Sequence, residues 1–531
     1  MKKKNLLHQK WYLYLTEFFS GVSVMAVELG ASRLLAPYFS SSQIVWTIII
    51  GTIMIAMALG NLWGGRSADK NPDPALLYRR ILIAAVWIGI IPVVGKYVIL
   101  GISSLLVFAV NAQFLVIAAF ATCMVLFVFP LFLLGTVTPS LVKYTADSLE
   151  DSGRTVGRLG ACNTVGSILG TFLPTFVTIP AVGTSVTFLI FAGVLLAICL
   201  VYFISERACA ARCITASVLF ALCVVFGRGT SFAFWENSLS YEGESVYNYL
   251  QVKEDDERVT LSTNVLFGVQ SVMMKNGGLT GMYYDYALAA PSMTGSAAPR
   301  VLILGNGTGT FARQCQTYFP GAAVEGVEID GKITELASSY FSLPESIPVT
   351  EYDGRAYLQT VDEIYDVIMV DAYQDITIPF QMSTQEFFTQ VRSHLTENGV
   401  MVVNMNMHSD GADSINAWLS DTILSVFPYV YTADVPNTTN KELFACFGGD
   451  PAELLAQHLS SVGDVRLRNL LRTVRQNLTS YVPGSHLLTD DQAPVEVLGM
   501  RMIDGLIEEE LQYYKDIYAE KGLSGLLSEL T

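Results

Sequence analysis

Apolar positions follow two different patterns along the chain. Over the first 230 residues they form long runs with few polar interruptions, near 11–29, 44–63, 81–100, 114–134, 157–179, 185–204 and 213–227. A helix crossing about 30 Å of hydrocarbon needs roughly 20 such residues, and it must satisfy its own backbone because no water is available there. The pattern predicts about seven spanning helices. After Arg228 the runs shorten to strand length. Residues 245–264 alternate as strands around the charged turn at 254–257. From Arg300 onward, strands and helical stretches follow one another, beginning with VLILG, a glycine-rich turn and AAVEGVEID. Buried strands are expected at 366–371, 399–405, 429–433 and 443–447, and helices near 451–477 and 500–521. Alternation of this kind predicts a doubly wound α/β sheet. The expected fold is thus a multi-pass α-helical membrane domain (1–230), a small β region (231–290) and a Rossmann-like, methyltransferase-type α/β domain (291–531).

Charge sharpens this division. Residues 1–230 carry 16 Lys and Arg against 8 Asp and Glu, which leaves 16 against 40 for residues 231–531 out of totals of 32 and 48. In the apolar half the positive charges cluster in alternate loops: Lys2 to Lys10; Arg66, Lys70, Arg79 and Arg80; Lys143, Arg154 and Arg158; Arg207 and Arg212. Such loops are retained on the cytoplasmic side. Carried through seven spans, the alternation puts the acidic half outside the cytoplasm, whereas the chemistry expected of that half favours the cytosolic face. Glu17, Glu28 and Arg33 lie in or beside the first span, where a charge is costly. They read either as a cation site in the bundle or as an interfacial Glu28–Arg33 pair. Gly157, Gly160, Gly166 and Gly170 in the fifth span suit close helix packing. The eight cysteines include no CxxC and the five histidines no HExxH, so neither a disulfide framework nor a metal site is expected. No nucleic-acid partner is implied.

Candidate chemistry gathers where strands end. Gly305-Asn306-Gly307-Thr308-Gly309 follows one strand and opens a helix, a place where backbone approaches a ligand closely and amides are free. Glu328 ends the next strand 23 residues after Gly305, where an acid accepts from ribose hydroxyls. Asp353, followed by Gly354, comes after a third strand and is placed to accept from an adenine amine; Asp371 closes a fourth. Each has a plainer reading as a turn residue, helix cap or solvated strand end. Four consecutive strand ends along one sheet edge describe an adenosyl site.

Several stretches then resemble the polyamine aminopropyltransferase (spermidine synthase) family: GVEIDGKITELASSYF (326–341), YDGRAYL (352–358), VDAYQDITIPFQMST (370–384) and LLTDDQAPVE (487–496). The apolar stretch 20–51 with GGRSAD (64–69) looks like the membrane portion of fused members, whose spans are similar to part of a major-facilitator transporter. The resemblance implies a seven-stranded sheet behind a small β-domain. It also implies transfer of an aminopropyl group from decarboxylated S-adenosylmethionine, used as co-substrate without any prosthetic group, to a polyamine acceptor such as putrescine. By position it puts Gly305, Gly307, Gly309, Glu328, Asp353 and Gly354 around the nucleoside and makes Asp371 the catalytic acid. Acceptor-side candidates are Asn248, Gln270, Tyr284, Asp285, Asp375 and Asp490. A homo-oligomer is also expected. The chain departs from the family at Thr308, where an acid is usual, and at DAYQD, where a DSxDP-like segment is usual. It departs again at YYDY (283–286), in place of a YHE-like run. Loss of the acid in the turn leaves intact S-adenosylmethionine open as donor and a methyltransferase as the alternative enzyme. A polyamine sensor or transporter is the alternative outside enzymology.

Overall fold

The structure is a computed structural model that describes residues 10–39, 42–107, 110, 113–145, 152–229, 231–236, 239–265, 269–373, 378–406 and 411–529. The chain divides into two compact units. The first holds residues 1–237, 243–249 and 508–531; the second holds 238–242 and 250–507.

The first unit is helical: α1 (Lys10–Phe39), α2 (Gln43–Lys70), α3 (Pro74–Val107), α4 (Phe114–Leu126), α5 (Val128–Gly135), α6 (Val137–Thr145), α7 (Ser152–Leu173), α8 (Ile179–Glu206) and α9 (Ala210–Gly227). Among the described residues, six helical runs are long and apolar enough to cross a membrane. The difference from the seven expected has one source, the merging of the fifth and sixth spans; the fourth is only displaced, to Val128–Thr145. The run at 114–134 is interrupted at Phe127, so its first part is only the 13-residue α4. The fifth and sixth expected spans form one 55-residue helical run, Ser152–Glu206, with a π-helical turn at Pro174–Thr178. That run breaks at Gly183, whose φ of 79° and ψ of 168° lie outside the helical region and are open to glycine. The helix restarts at Thr184, whose backbone N–H and hydroxyl both donate to the Glu244 carboxylate, at 2.7 and 2.5 Å. An acid at this end offsets the positive pole of the new helix.

Of the glycines in α7, Gly166 and Gly170 meet α1 at the carbonyl oxygens of Phe18 and Val22, where a Cβ would stand 2.1 and 2.2 Å away. Gly157 and Gly160 face nothing within 4 Å. Glu17 of α1 is fully buried, and its Oε1 accepts from Thr138 Oγ1 at 2.6 Å and Asn163 Nδ2 at 2.9 Å.

The second unit carries the main sheet and most of a smaller one. The smaller has the order β1–β2–β3–β4, formed by β1 (Leu239–Glu244), β2 (Tyr249–Glu254), β3 (Arg258–Ser262) and β4 (Ser271–Met274). Two short helices, α10 (Tyr283–Ala287) and α11 (Ala289–Met293), lead into the main sheet. Its parallel strands are β5 (Arg300–Leu304), β6 (Ala323–Glu328), β7 (Val349–Glu351), β8 (Tyr365–Val370) and β9 (Leu395–Met405). Antiparallel β10 (Tyr429–Asp434), β11 (Lys441–Cys446) and the two-residue β12 (Thr479–Ser480) complete it. The order is β12–β10–β11–β9–β8–β5–β6–β7. Strand order reverses between β5 and β8, and ligands of open α/β sheets bind beyond the carboxyl ends of strands at such a switch point.

The connecting helices are α12 (Thr310–Tyr318), α13 (Gly331–Tyr340), α14 (Gly354–Leu358), α15 (Gln385–Ser393), α16 (Ile415–Leu424), α17 (Pro451–His458), α18 (Val465–Asn477) and α19 (Val495–Glu529). Alternate residues of the central strands feed two apolar cores. Val301, Ile303, Val367, Met369, Val402 and Phe444 face one side, and Leu302, Leu304, Ile368, Val370, Val403 and Leu443 the other. Burial on both faces explains why these strands read as continuous apolar runs. The small sheet has its own core: Leu250, Val252, Val259 and Leu261 pack on Ile333 and Leu336 of α13.

Candidate active site

The glycine turn is built around one close crossing. Gly305 leaves β5 with φ of 90°, its N–H donating to Val327 O, while the Asp371 N–H donates to Leu304 O at 2.9 Å. A Cβ on Gly305 would stand 2.5 Å from the Asp371 carbonyl oxygen. Only a residue without a side chain fits both this dihedral and this approach. Gly307 and Gly309 also have positive φ, 53° and 78°, and Gly309 opens α12. Asn306 and Thr308 lie buried in the turn, and neither side chain has a hydrogen-bond partner among the described residues. Polar groups left unpaired in this way suit a ligand that brings its own donors and acceptors.

Glu328, at the end of β6, is buried and faces the same turn. Its Oε2 accepts from the Gly307 N–H at 2.8 Å and its Oε1 from the Asp330 N–H at 3.1 Å. Burial raises its pKa to about 7 against the opposing pull of those amides. Asp353 caps α14, its Oδ1 accepting from Ala356 N at 2.8 Å. Gly354 packs its bare Cα toward Met382 and Leu304.

Asp371 follows β8. Its Oδ2 accepts from Tyr283 Oη at 2.6 Å and its Oδ1 from Asn404 Nδ2 at 2.8 Å. The Asn404 Oδ1 in turn accepts from Asn440 Nδ2 at 2.9 Å. Burial lifts the Asp371 pKa to about 7, with a smaller push from the Glu328 charge, and the bonds from Tyr283 and Asn404 hold it down. The Tyr373 hydroxyl donates to Asn404 O, which anchors the start of the following loop.

The acceptor-side candidates are dispersed. The Tyr284 ring lies tilted at 37° against that of Tyr283, centroids 3.9 Å apart, and its hydroxyl donates to Gln270 O at 2.5 Å, so Gln270 meets this cluster through its backbone. Asp285 is buried and accepts from Thr280 N, Thr280 Oγ1, Gly281 N and Gln314 Nε2, which fixes the loop before α10. Asp490 forms a two-pronged ion pair with Arg355 at 2.7 and 2.6 Å and also accepts from Thr384 Oγ1. Asn248 lies in the turn before β2, its N–H donating to Ser245 Oγ, and belongs to the first unit. Asp375 lies outside the described residues.

Three residues of this cluster escaped the sequence analysis. Tyr283 and Asn404 hold Asp371. Glu442 stands in β11 directly opposite Asn404 of β9; it is fully buried, and neither of its carboxylate oxygens has a hydrogen-bond partner among the described residues. Burial, and next the charge of Asp371, raise its pKa well above the usual carboxylate range. Among the described residues, no group of three His, Cys, Asp or Glu is arranged to hold a metal ion.

Comparison with known proteins adds a consistent pattern. The profile of the spermine/spermidine synthase domain matches residues 282–447. A protein of Bifidobacterium longum (strain NCC 2705) described as a probable polyamine aminopropyl transferase is 54% identical over 345 residues, covering 62% of this chain and 77% of that protein. A polyamine aminopropyltransferase of Vibrio vulnificus (strain CMCP6) is 26% identical over 302 residues, covering 53% of this chain and 97% of the relative. Among solved structures, a probable spermidine synthase from Corynebacterium glutamicum ATCC 13032 aligns at 21% identity with a TM-score of 0.35, covering 46% of this chain and 95% of that one.

Proposed function

Because the chain belongs to the polyamine aminopropyltransferase family and is a transferase, we propose that residues 231–531 move the aminopropyl group of decarboxylated S-adenosylmethionine onto a diamine such as putrescine. The nucleoside lies over the glycine turn, with Glu328 at the ribose and Asp353 at the adenine. An alkyl ammonium near pKa 10 has no lone pair to attack with, so the acceptor must first lose a proton. Asp371 takes it. The freed nitrogen attacks the aminopropyl carbon bound to sulfur, a C–N bond forms, and the C–S electron pair stays with sulfur as methylthioadenosine leaves. The sulfonium is already activated, so alignment of nitrogen, carbon and sulfur supplies much of the remaining acceleration.

The observation that carries this reading is Asp371 itself: a carboxylate beside the sheet's switch point, oriented by two donors, with a pKa of about 7. A base is most useful when its pKa lies near the working pH. Asp371→Asn is expected to lower kcat by about 10²- to 10⁴-fold while the protein still binds methylthioadenosine in calorimetry. Turnover within threefold of wild type would remove Asp371 from the mechanism.

A methyltransferase is favoured by one observation, the neutral and unpaired Thr308 where an acid would select a cationic tail. Product analysis separates the two, since aminopropyl transfer releases methylthioadenosine and methyl transfer S-adenosylhomocysteine.

We further propose that residues 1–230 anchor the enzyme in the cell membrane with the basic loops inside. The six long apolar runs support the anchoring. Thr184 lies between the basic groups at Arg154–Arg158 and Arg207–Arg212, hence at the opposite face, and Glu244 binds there. The loop charges thus put the entry to the catalytic half away from the cytoplasm, whereas decarboxylated S-adenosylmethionine as donor favours the cytosolic face, and accessibility of a tag after Thr531 decides between them.

A further inference from the structure

An apolar groove of about 450 Å³ runs between α3 and α9 in the helical unit, with Leu82, Val86 and Ile90 on one side and Ala216 and Leu219 on the other. The two helices lie side by side and run in the same direction. Arg79 and Arg212 both reach Cys209 at one end, and ten residues further along α3 Gly89 faces the Phe220 ring. From Arg79 to Ile90 the helix rises about 16 Å, about half of the 30 Å or so of hydrocarbon in a bilayer. The groove is therefore as deep as one lipid leaflet. Trp87 borders it and is held in place, its Nε1 donating to Leu126 O at 2.9 Å.

Its mouth has a different character. Arg79 and Arg212 line it, and neither forms an ion pair among the described residues. Arg79 Nη2 and Arg212 Nη1 meet the Cys209 sulfur at 3.6 and 4.0 Å, and Arg79 Nε is enclosed without a hydrogen-bond partner among the described residues. A thiol is a weak acceptor, so two guanidiniums stand at the end of an apolar channel with little to bind. Arg80, by contrast, is used within the protein, donating to Ser67 Oγ and lying over the Trp63 ring. In the turn between α8 and α9, Arg207 and Arg212 outnumber Glu206, which leaves that turn positive. Guanidinium forks match the oxygens of a phosphate, and the channel behind them suits an alkyl chain.

We propose that this groove binds one anionic phospholipid of the cytoplasmic leaflet, its phosphate between Arg79 and Arg212 and one acyl chain laid along α3 and α9. This rests on the anchoring reading, which puts both arginines at the cytoplasmic face, where basic pockets between helices suit anionic head groups. The two arginines are far apart in sequence, and only the packing of α9 beside α3 brings them to one mouth.

The test is native mass spectrometry of the full-length protein in detergent, given phosphatidylglycerol or phosphatidylcholine with the same chains. Wild type is expected to retain one phosphatidylglycerol per chain and to prefer it by about 25-fold, about fivefold for each arginine near the headgroup. Arg79→Gln combined with Arg212→Gln is expected to erase the preference. Thr215→Phe keeps both charges and sets a ring in the groove that Thr215 lines. It is expected to lower phosphatidylglycerol retention about tenfold, the worth of about two buried methylenes, and it carries the comparison if the glutamine pair does not fold. Equal retention of the two lipids by wild type overturns the proposal, as does retention unmoved in either variant. Glycerol phosphate, a headgroup without chains, is expected not to displace the lipid at equal concentration; displacement would mark a site for a soluble anion and overturn the proposal as well. Washing membranes with alkaline carbonate separates the two claims. Wild type that washes out ends the anchoring reading and the lipid site with it, whereas wild type that stays and shows no lipid preference ends the lipid site alone.

Discussion

Burial, opposed chiefly by Tyr283, sets the pH at which Asp371 works. The Asp371 pKa of about 7 is the outcome of burial pushing it up and two hydrogen bonds pulling it down, that of Tyr283 being the larger. Proton uptake needs the ionised form, so activity is expected to rise with pH through about 7. Tyr283→Phe removes one stabilising donor and is expected to move this acid limb upward by about one pH unit, as the loss of a hydrogen bond to a charged group implies. A pH–rate profile at saturating donor checks it, and an unmoved limb would show that the phenol only packs. The same shifts bear on stability. Asp371 and Glu328 hold protons in the folded state up to about 7, whereas unfolded carboxylates lose theirs near 4. The native state thus binds more protons in that window, and these groups' contribution to stability declines as pH rises from about 4 to 7. Asp371 and Glu328 were legible because each ends an apolar strand. Asn404 and Glu442 were not, for a polar residue at the margin of a strand reads as solvated until the neighbouring strand is known. Asp490 read as an acceptor-pocket acid or a cap, and sequence offered no way to see that Arg355, 135 positions away, holds it.

The turn between β5 and α12 is the element on which the site's geometry depends. Its first residue makes room for the backbone that carries Asp371, so adding a methyl group there displaces two parts of the site together. Gly305→Ala is expected to cost about 1–3 kcal/mol, the range for a side chain forced into a sparsely populated backbone conformation, and to lower kcat/KM by more than tenfold. Chemical denaturation and steady-state kinetics measure the two effects, and a variant as active as wild type would mean the turn yields without moving Asp371. Most elements of this half were readable, because buried parallel strands are short apolar runs bounded by turn residues. The exceptions have local causes. The helix expected over 451–477 is interrupted at 462–464, between α17 and α18, and β12 is two residues long, too short to show periodicity. The β9 strand begins at Leu395, four residues before its apolar run, because Leu395 pairs with Tyr365 of β8 across a register shift from the Val367–Val400 pair.

At the scale of the molecule, the proposed anchoring ties the side that the catalytic half occupies to the number of crossings. A straight helix of 55 residues would run about 80 Å, far beyond the 30 Å or so of a bilayer. The run 152–206 must therefore turn, and Gly183 is where its backbone leaves the helix. On the proposed anchoring, that turn adds a crossing to the six apolar runs, in keeping with the alternation of basic loops. A protease-sensitive tag after Thr531 is expected to be cleaved in intact cells from which the outer layers have been removed. Protection until lysis would place the catalytic half in the cytosol.

The small sheet has its own bearing on how the catalytic half is isolated for study. β1 lies at its margin, alongside β2, whose Leu250 and Val252 are wholly enclosed. A fragment begun just after residue 244 discards that covering strand and bares the amides and carbonyls of β2. An apolar strand with free backbone groups recruits whatever strand it meets. Clumping of such a fragment would report on the cut, and a start at 231 preserves the margin.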